Sequence, residues 1–178
     1  MSKAIASMHG AVSIVNAIAT GKGATLGISL GIEATIETEL GRGIIFENRE
    51  STLSSRLIRN VVEKSVPKSE LEKNKIKISV KSEIPSGYGL KSSSAISSVI
   101  SLACAKLFKP KATDLEILRD GVHASIESKV SITGAFDDAC ACYFGGFVVT
   151  DNTNIKIIKS EKAPEDLSAV ILDRKSVV

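Results

Sequence analysis

Tryptophan is absent from the 178 residues, and aromatics together make up 4% of them. Stacking platforms of the kind that hold single-stranded nucleic acid are therefore scarce, and nucleic-acid binding starts disfavoured. Cysteine is nearly as sparse: Cys104, Cys140 and Cys142 are an odd number, which describes no disulfide framework. Neither His9 nor His123 stands at zinc-finger spacing from them. The plain expectation is three buried, reduced thiols in a reducing cytoplasm. No apolar run approaches the roughly 20 residues that span a bilayer, and the opening MSKAIASMHG lacks the basic-then-apolar layout of a signal peptide. A block of one charge is missing too. Lys and Arg number 23 against 20 Asp and Glu, for a net +3, spread so evenly that it says little about partners.

What is present is the composition of one folded domain, 43% hydrophobic and 24% charged, with enough apolar surface to offset its ordering entropy. Leu26, Ile28, Leu30, Ile32, Ala34 and Ile36 alternate with small or charged residues as far as Leu40, the period of a strand with one wet face. Gly41-Arg42-Gly43 reads as a turn into a short strand at Ile44 to Phe46, which predicts an antiparallel hairpin. Leu53, Leu57, Ile58, Val61 and Val62 recur at helical spacing until Pro67 stops them. Ile76, Ile78 and Val80 form another alternating strand, ending at Ile84-Pro85. Beyond a Gly/Ser-rich stretch, Ile96, Val99, Ile100, Ala103 and Leu107 make a helical stripe. Thr113 with Glu116 is a capping-box signature ahead of Leu115, Leu118, Val122 and Ile126.

The segment T-G-A-F-D-D-A-C-A-C-Y-F-G-G, residues 133–146, predicts a turn and a short helix closing at Gly145-Gly146. Phe147 to Val149, Ile155 to Ile158 and Ala169 to Leu172 read as strands. Strands and helices mix without regular alternation, which favours an α+β architecture over a doubly wound parallel sheet. The final D-R-K-S-V-V offers no element to close the last strand, which leaves two readings: a chain that stops short of a complete protein, or a natural, frayed terminus.

Three places could carry chemistry. The first is P-S-G-Y-G-L-K-S-S-S-A, residues 85–95, between a strand and a helix. Glycines at 87 and 89 permit positive φ, so that successive N–H groups can point at one anion. The helix N-terminus adds partial positive charge, Lys91 a full one, and three serines supply hydroxyls for hydrogen bonds or a magnesium ion. The loop is neither a Walker A sequence nor G-x-G-x-x-G; a serine-capped flexible connection is the plainer alternative. The second place pairs Glu127 with Asp137, ten positions on, which could converge on one cation or hydroxyl, or simply cap helices and face water. The third is Lys22, held between two glycines, either a phosphate-reaching lysine or a solvated turn.

Together these residues resemble a family. P-x-G-x-G-L-x-S-S-x-A is similar to the phosphate loop of the GHMP small-molecule kinases. The segments G-A-V-S-I-V-N-A-I-A-T-G-K-G-A and T-G-A-F-D-D-A-C-A-C-Y-F-G-G resemble the archaeal-type shikimate kinases within it. The resemblance implies a ribosomal-protein-S5-like α+β fold, with residues 1–178 as the N-terminal, ATP-binding domain and the family's C-terminal half without a counterpart. It implies ATP and Mg²⁺, a small-molecule acceptor, and neither a nucleic-acid nor a membrane partner. Pro85, Gly87, Gly89, Leu90, Lys91, Ser92, Ser93 and Ser94 become the ATP phosphate cradle, with Ser93 and Glu127 as magnesium ligands. Asp137 becomes the carboxylate that orients or deprotonates the acceptor hydroxyl, Lys22 its basic partner, and Asp138 a substrate contact. At Lys91 the family usually has Gly. The implied reaction is ATP-dependent phosphorylation of shikimate. The alternatives are another GHMP kinase such as a homoserine kinase, or an inactive nucleotide-binding fragment; RNA binding, which an S5-like fold suggests, is a poor third.

Overall fold

The computed structural model describes residues 2–47 and 54–171, and Leu53, placed above in a helical stripe, lies outside them. In chain order the elements are β1 (Ser2–Val15), β2 (Lys22–Leu40), β3 (Gly43–Phe46), α1 (Ser55–Ser65), α2 (Lys68–Lys73), β4 (Asn74–Ser82), α3 (Ser92–Phe108), α4 (Asp114–Glu127), α5 (Phe136–Phe144), β5 (Phe147–Asp151) and β6 (Lys156–Glu161). The architecture is α+β: among the described residues six strands form one mixed sheet, and helices pack on it. β2 is its spine. β1 runs antiparallel along one edge of β2, while β4 pairs residues 32–40 and β5 pairs residues 22–26 on the other edge.

Alternation explains the core. Ile32, Ala34 and Ile36 of β2 and Ile76, Ile78 and Val80 of β4 turn inward and are buried, against Leu57, Ile58, Val61 and Val62 of α1 and the middle of α3. Glu33, Glu37 and Glu39 turn the other way, and Glu37 is paired by Lys3 across the β1 edge. Helix α3 is buried on most of its faces, beyond the stripe its sequence predicts. Its serines make this possible: Ser65 donates to Ser101 at 3.1 Å, and Ser97 donates back to the Ser94 carbonyl at 3.0 Å. Gly121 of α4 lets that helix approach the backbone of Ser97 closely. The cysteines are buried, and burial pushes the Cys104 thiol up to about 12 and raises the other two as well. No helix among the described residues is long and apolar enough to cross a membrane.

Two expectations are corrected. β3 does not close a hairpin with β2; it pairs in parallel with β4. The end of β2 is already occupied, since Thr38 pairs with Ser2 on one edge and with Ile76 on the other, so the chain leaving Gly43 finds a free edge only beyond β4. Residues 169–171 form no strand, and Val170 is 84% exposed; Leu172 lies outside the described residues. The capping box at α4 forms as read: Thr113 accepts from the Glu116 N–H, and the Glu116 carboxylate accepts from the Thr113 N–H at 2.7 Å. Thr113→Ala is expected to cost about 1 kcal/mol, read as a melting midpoint lower by roughly 2–4 °C.

Candidate functional site

Two helices begin at one pocket. The loop from β4 enters α3 through Gly87 (φ 88°), Gly89 (φ 75°) and Lys91 (φ 61°), all left-handed. Glycine takes that conformation freely, while a residue with a β-carbon spends on the order of 1 kcal/mol there. Leu90 anchors the loop: its side chain is buried, and its carbonyl accepts from the Ala11 N–H at 3.2 Å. Ser92, Ser93 and Ser94 follow as the first turn of α3. This helix end has no side-chain cap and no acidic residue in its first turn, so its orphan N–H groups and partial positive charge are left for an anion.

Helix α5 starts opposite, after Ala135, and carries Asp137 and Asp138 in its own first turn. Asp137 is 4% exposed and Asp138 8%, a burial that two adjacent carboxylates tolerate only with partners. Asp137 accepts from Asn152 Nδ2 at 2.8 Å, and the Asn152 carbonyl in turn accepts from Thr150 at 2.6 Å. The Thr25 hydroxyl lies 3.2 Å from Asp137 Oδ2 and 3.2 Å from Asp138 Oδ1, one proton between two acceptors. Ser13 adds a longer hydrogen bond to Asp138 at 3.4 Å. Lys91 Nζ completes the set 3.2 Å from Asp138 Oδ2. Burial pushes the Asp138 carboxyl up from its ordinary range and the Asp137 charge adds to that, with Lys91 and Thr25 pulling the other way.

The pocket between these helices encloses about 480 Å³, within the range of small-molecule sites. Gly87, Gly89, Lys91, Ser92, Ser93, Ser94, Asp137 and Asp138 line it, so most of the residues singled out from sequence meet there. Four do not. Pro85 is exposed outside the pocket and Leu90 packs into the core, each shaping the loop from behind. Lys22 opens β2, exposed and opposite Asp151, whose carboxyl is lowered chiefly by Asn154 and also by the Lys22 charge. Glu127, at the end of α4, is held 2.5 Å from Lys64 with its side chain about half exposed, and it is not among the residues that line the pocket.

Sequence reasoning missed Ser13, Thr25 and Asn152, the partners of the carboxylates, and also Gly23. A β-carbon on Gly23 would fall 2.3 Å from Asp137 Oδ2: the bare backbone of β2 is what gives Asp137 its space. The remaining lining is mixed: Asn16, Ser125, Ser131 and Thr133 are polar, while Ile18, Val130 and Ile132 are exposed apolar side chains.

Comparison with known proteins gives three kinds of likeness. Residues 56–146, half of the chain, match the family described as GHMP kinases N terminal domain. Shikimate kinases of Pyrococcus abyssi and Thermococcus kodakarensis are 39% and 41% identical, over 94% of this chain and 62% of their own length. The shikimate kinase of Methanosarcina mazei is 43% identical over 86% of this chain and 53% of its own length. The chain thus spans less than two thirds of the relatives it matches. Among solved structures, a homoserine kinase of Cytophaga hutchinsonii superposes with a TM-score of 0.71 at 18% identity, covering 89% of this chain and 52% of that one. The Lactococcus lactis galactokinase gives 0.70 at 15% identity, over 94% and 48%. At such identities the superpositions speak to fold alone.

Proposed function

The chain belongs to the GHMP kinases, and on that premise we propose that it transfers the γ-phosphoryl group of ATP to a hydroxyl of shikimate, giving shikimate 3-phosphate. In this reading it is a cytoplasmic small-molecule kinase, and the 178 residues act as its N-terminal, ATP-binding domain. The observation that carries the chemistry is the meeting of an uncapped α3 N-terminus with the Asp137–Asp138 pair across one pocket. Phosphoryl transfer needs a fixed cradle for anionic oxygens and a carboxylate for the acceptor hydroxyl, held in line. The loop N–H groups and Ser92 to Ser94 suit the first task, and Asp137, held by Asn152 and Thr25, suits the second. Asp138 is the adjoining contact. The choice of shikimate is supported by the relatives' names at 38–43% identity.

Mg²⁺ would accompany ATP and screen its charge. Ser93, which lines the pocket, would be one ligand, but Glu127 engages Lys64 and does not line it, so the two expected ligands do not form a pair as they stand. Lys22, exposed beside Asp151, takes no part in this reading. The test is ADP release from MgATP with shikimate, with homoserine and with no acceptor, in parallel with calorimetric MgATP binding. Release only with shikimate is the expected result. Equal release with homoserine would overturn the substrate, and absence of MgATP binding would overturn the kinase reading itself.

A further inference from the structure

Lys91 is placed against two rules of folding at once. Its backbone is left-handed at φ 61° despite its β-carbon, and it is the N-cap residue of α3, the helix end whose dipole disfavours a cation. An unfavourable placement that the surrounding structure nonetheless enforces points to a task at that position. The side chain does not escape to water: it is 21% exposed, and it reaches across from the serine turn to Asp138. Among the described residues lining the pocket it is the one cation. The groups that face it are Asp138 and, beyond, Asp137 from α5, while Ser13 and Thr25 from the strands share Asp138 with it.

We propose that Lys91 is a catalytic residue that contacts the γ-phosphoryl group as it moves, and that Asp138 is the positioning residue that aims it. This rests on the kinase reading above. In the transfer, the acceptor oxygen bonds to the γ-phosphorus, the bond to the β–γ bridging oxygen breaks with its electron pair leaving on ADP, and the hydroxyl proton passes to Asp137. Negative charge spreads over the equatorial oxygens during that passage. An ammonium anchored beside both the cradle and the carboxylates meets it where it develops. Ion-paired to Asp138, the lysine is held ready without ligand, and a γ-phosphate draws it away from that partner.

Titration calorimetry with MgATP and with MgADP, on the parent chain and on Lys91→Met, Lys91→Arg and Asp138→Asn, tests this. Methionine and arginine keep the β-carbon and a long stem, so the backbone conformation is tested equally in both, and thermal melts confirm folding. Lys91→Met is expected to weaken MgATP about tenfold or more with MgADP nearly unchanged, and Lys91→Arg to restore most of the difference. Asp138→Asn is expected to tighten MgATP, because Lys91 is no longer shared and a repelling carboxylate is gone, while shikimate-dependent kcat falls. Equal effects of Lys91→Met on both nucleotides, or none on either, would overturn the proposal while nucleotide binding by the parent upholds the kinase reading. A parent that binds neither nucleotide overturns both.

Discussion

Asp137→Asn is expected to lower shikimate-dependent ADP release by about 10³-fold, the middle of the range for a positioned proton acceptor, with MgATP affinity little changed. Asparagine suits the test because the site can absorb it. Its amide oxygen can still accept from Asn152 Nδ2, and its amide nitrogen can donate to Thr25, whose proton then turns wholly to Asp138. Shape and hydrogen bonds survive, and only the charge and the capacity to take a proton are lost. Asp137→Ala would be less clean, since it also strands the Asn152 donor in a buried site at a cost of about 1–3 kcal/mol, whereas Thr25 keeps Asp138 as its acceptor. A second readout follows from the coupling of the pair. The Asp137 charge helps push the Asp138 carboxyl up, so in Asp137→Asn that carboxyl titrates closer to its ordinary value. Parental turnover in the asparagine variant would remove Asp137 from the mechanism.

The partners of this pair escaped the sequence for a reason visible in the sheet. Alternation read through Leu26, Ile28 and Ile32 predicts that Thr25 faces water, yet it is fully buried. The register of β1 on β2 breaks between His9, opposite Gly31, and Gly10, opposite Ile28. At that break the inward parity turns over. On one side Met8 and Ile32 are buried against the core; on the other Ser13 and Thr25 sit opposite each other and both reach Asp138. A bulge that re-aims side chains is common beside functional sites, but no residue type announces one here. Local signals fared better. The Thr113–Glu116 cap, the glycine loop and the short helix ending at Gly145 depend on neighbours in sequence and were legible. Strand partners were not, because Gly41-Arg42-Gly43 fits a hairpin and only the prior occupation of both β2 edges prevents it. Helix α2, with none of its residues buried, left no periodic trace. The Lys91–Asp138 contact spans 47 positions of sequence, and neither residue signals the other.

Gly23→Ala is expected to cost about 1–3 kcal/mol, the usual range for overpacking, and about 10²-fold in turnover, as for a catalytic group displaced by about 1 Å. The added carbon would stand 2.3 Å from Asp137 Oδ2, 2.5 Å from its Cγ and 2.8 Å from its Cβ. Rotating the carboxylate frees its oxygens but leaves the Cβ contact, so either β2 or α5 has to move. Neither is free to. Gly23 pairs with Thr150 of β5, and the next residues are held between β5 and β1. Helix α5 is pinned further along, where Gly27 N–H donates to the Gly146 carbonyl at 2.8 Å and a β-carbon on Gly27 would lie 2.9 Å from Gly145 Cα. That second contact supplies the control. Gly27→Ala strains the same strand against the same helix at its other end, so it is expected to lower the melting midpoint similarly with a smaller loss of turnover. Equal losses of turnover in both variants would mean that the rate follows general damage to the sheet rather than the placement of Asp137. Parental turnover in Gly23→Ala would mean that the carboxylate does its work from somewhere other than the space Gly23 leaves for it.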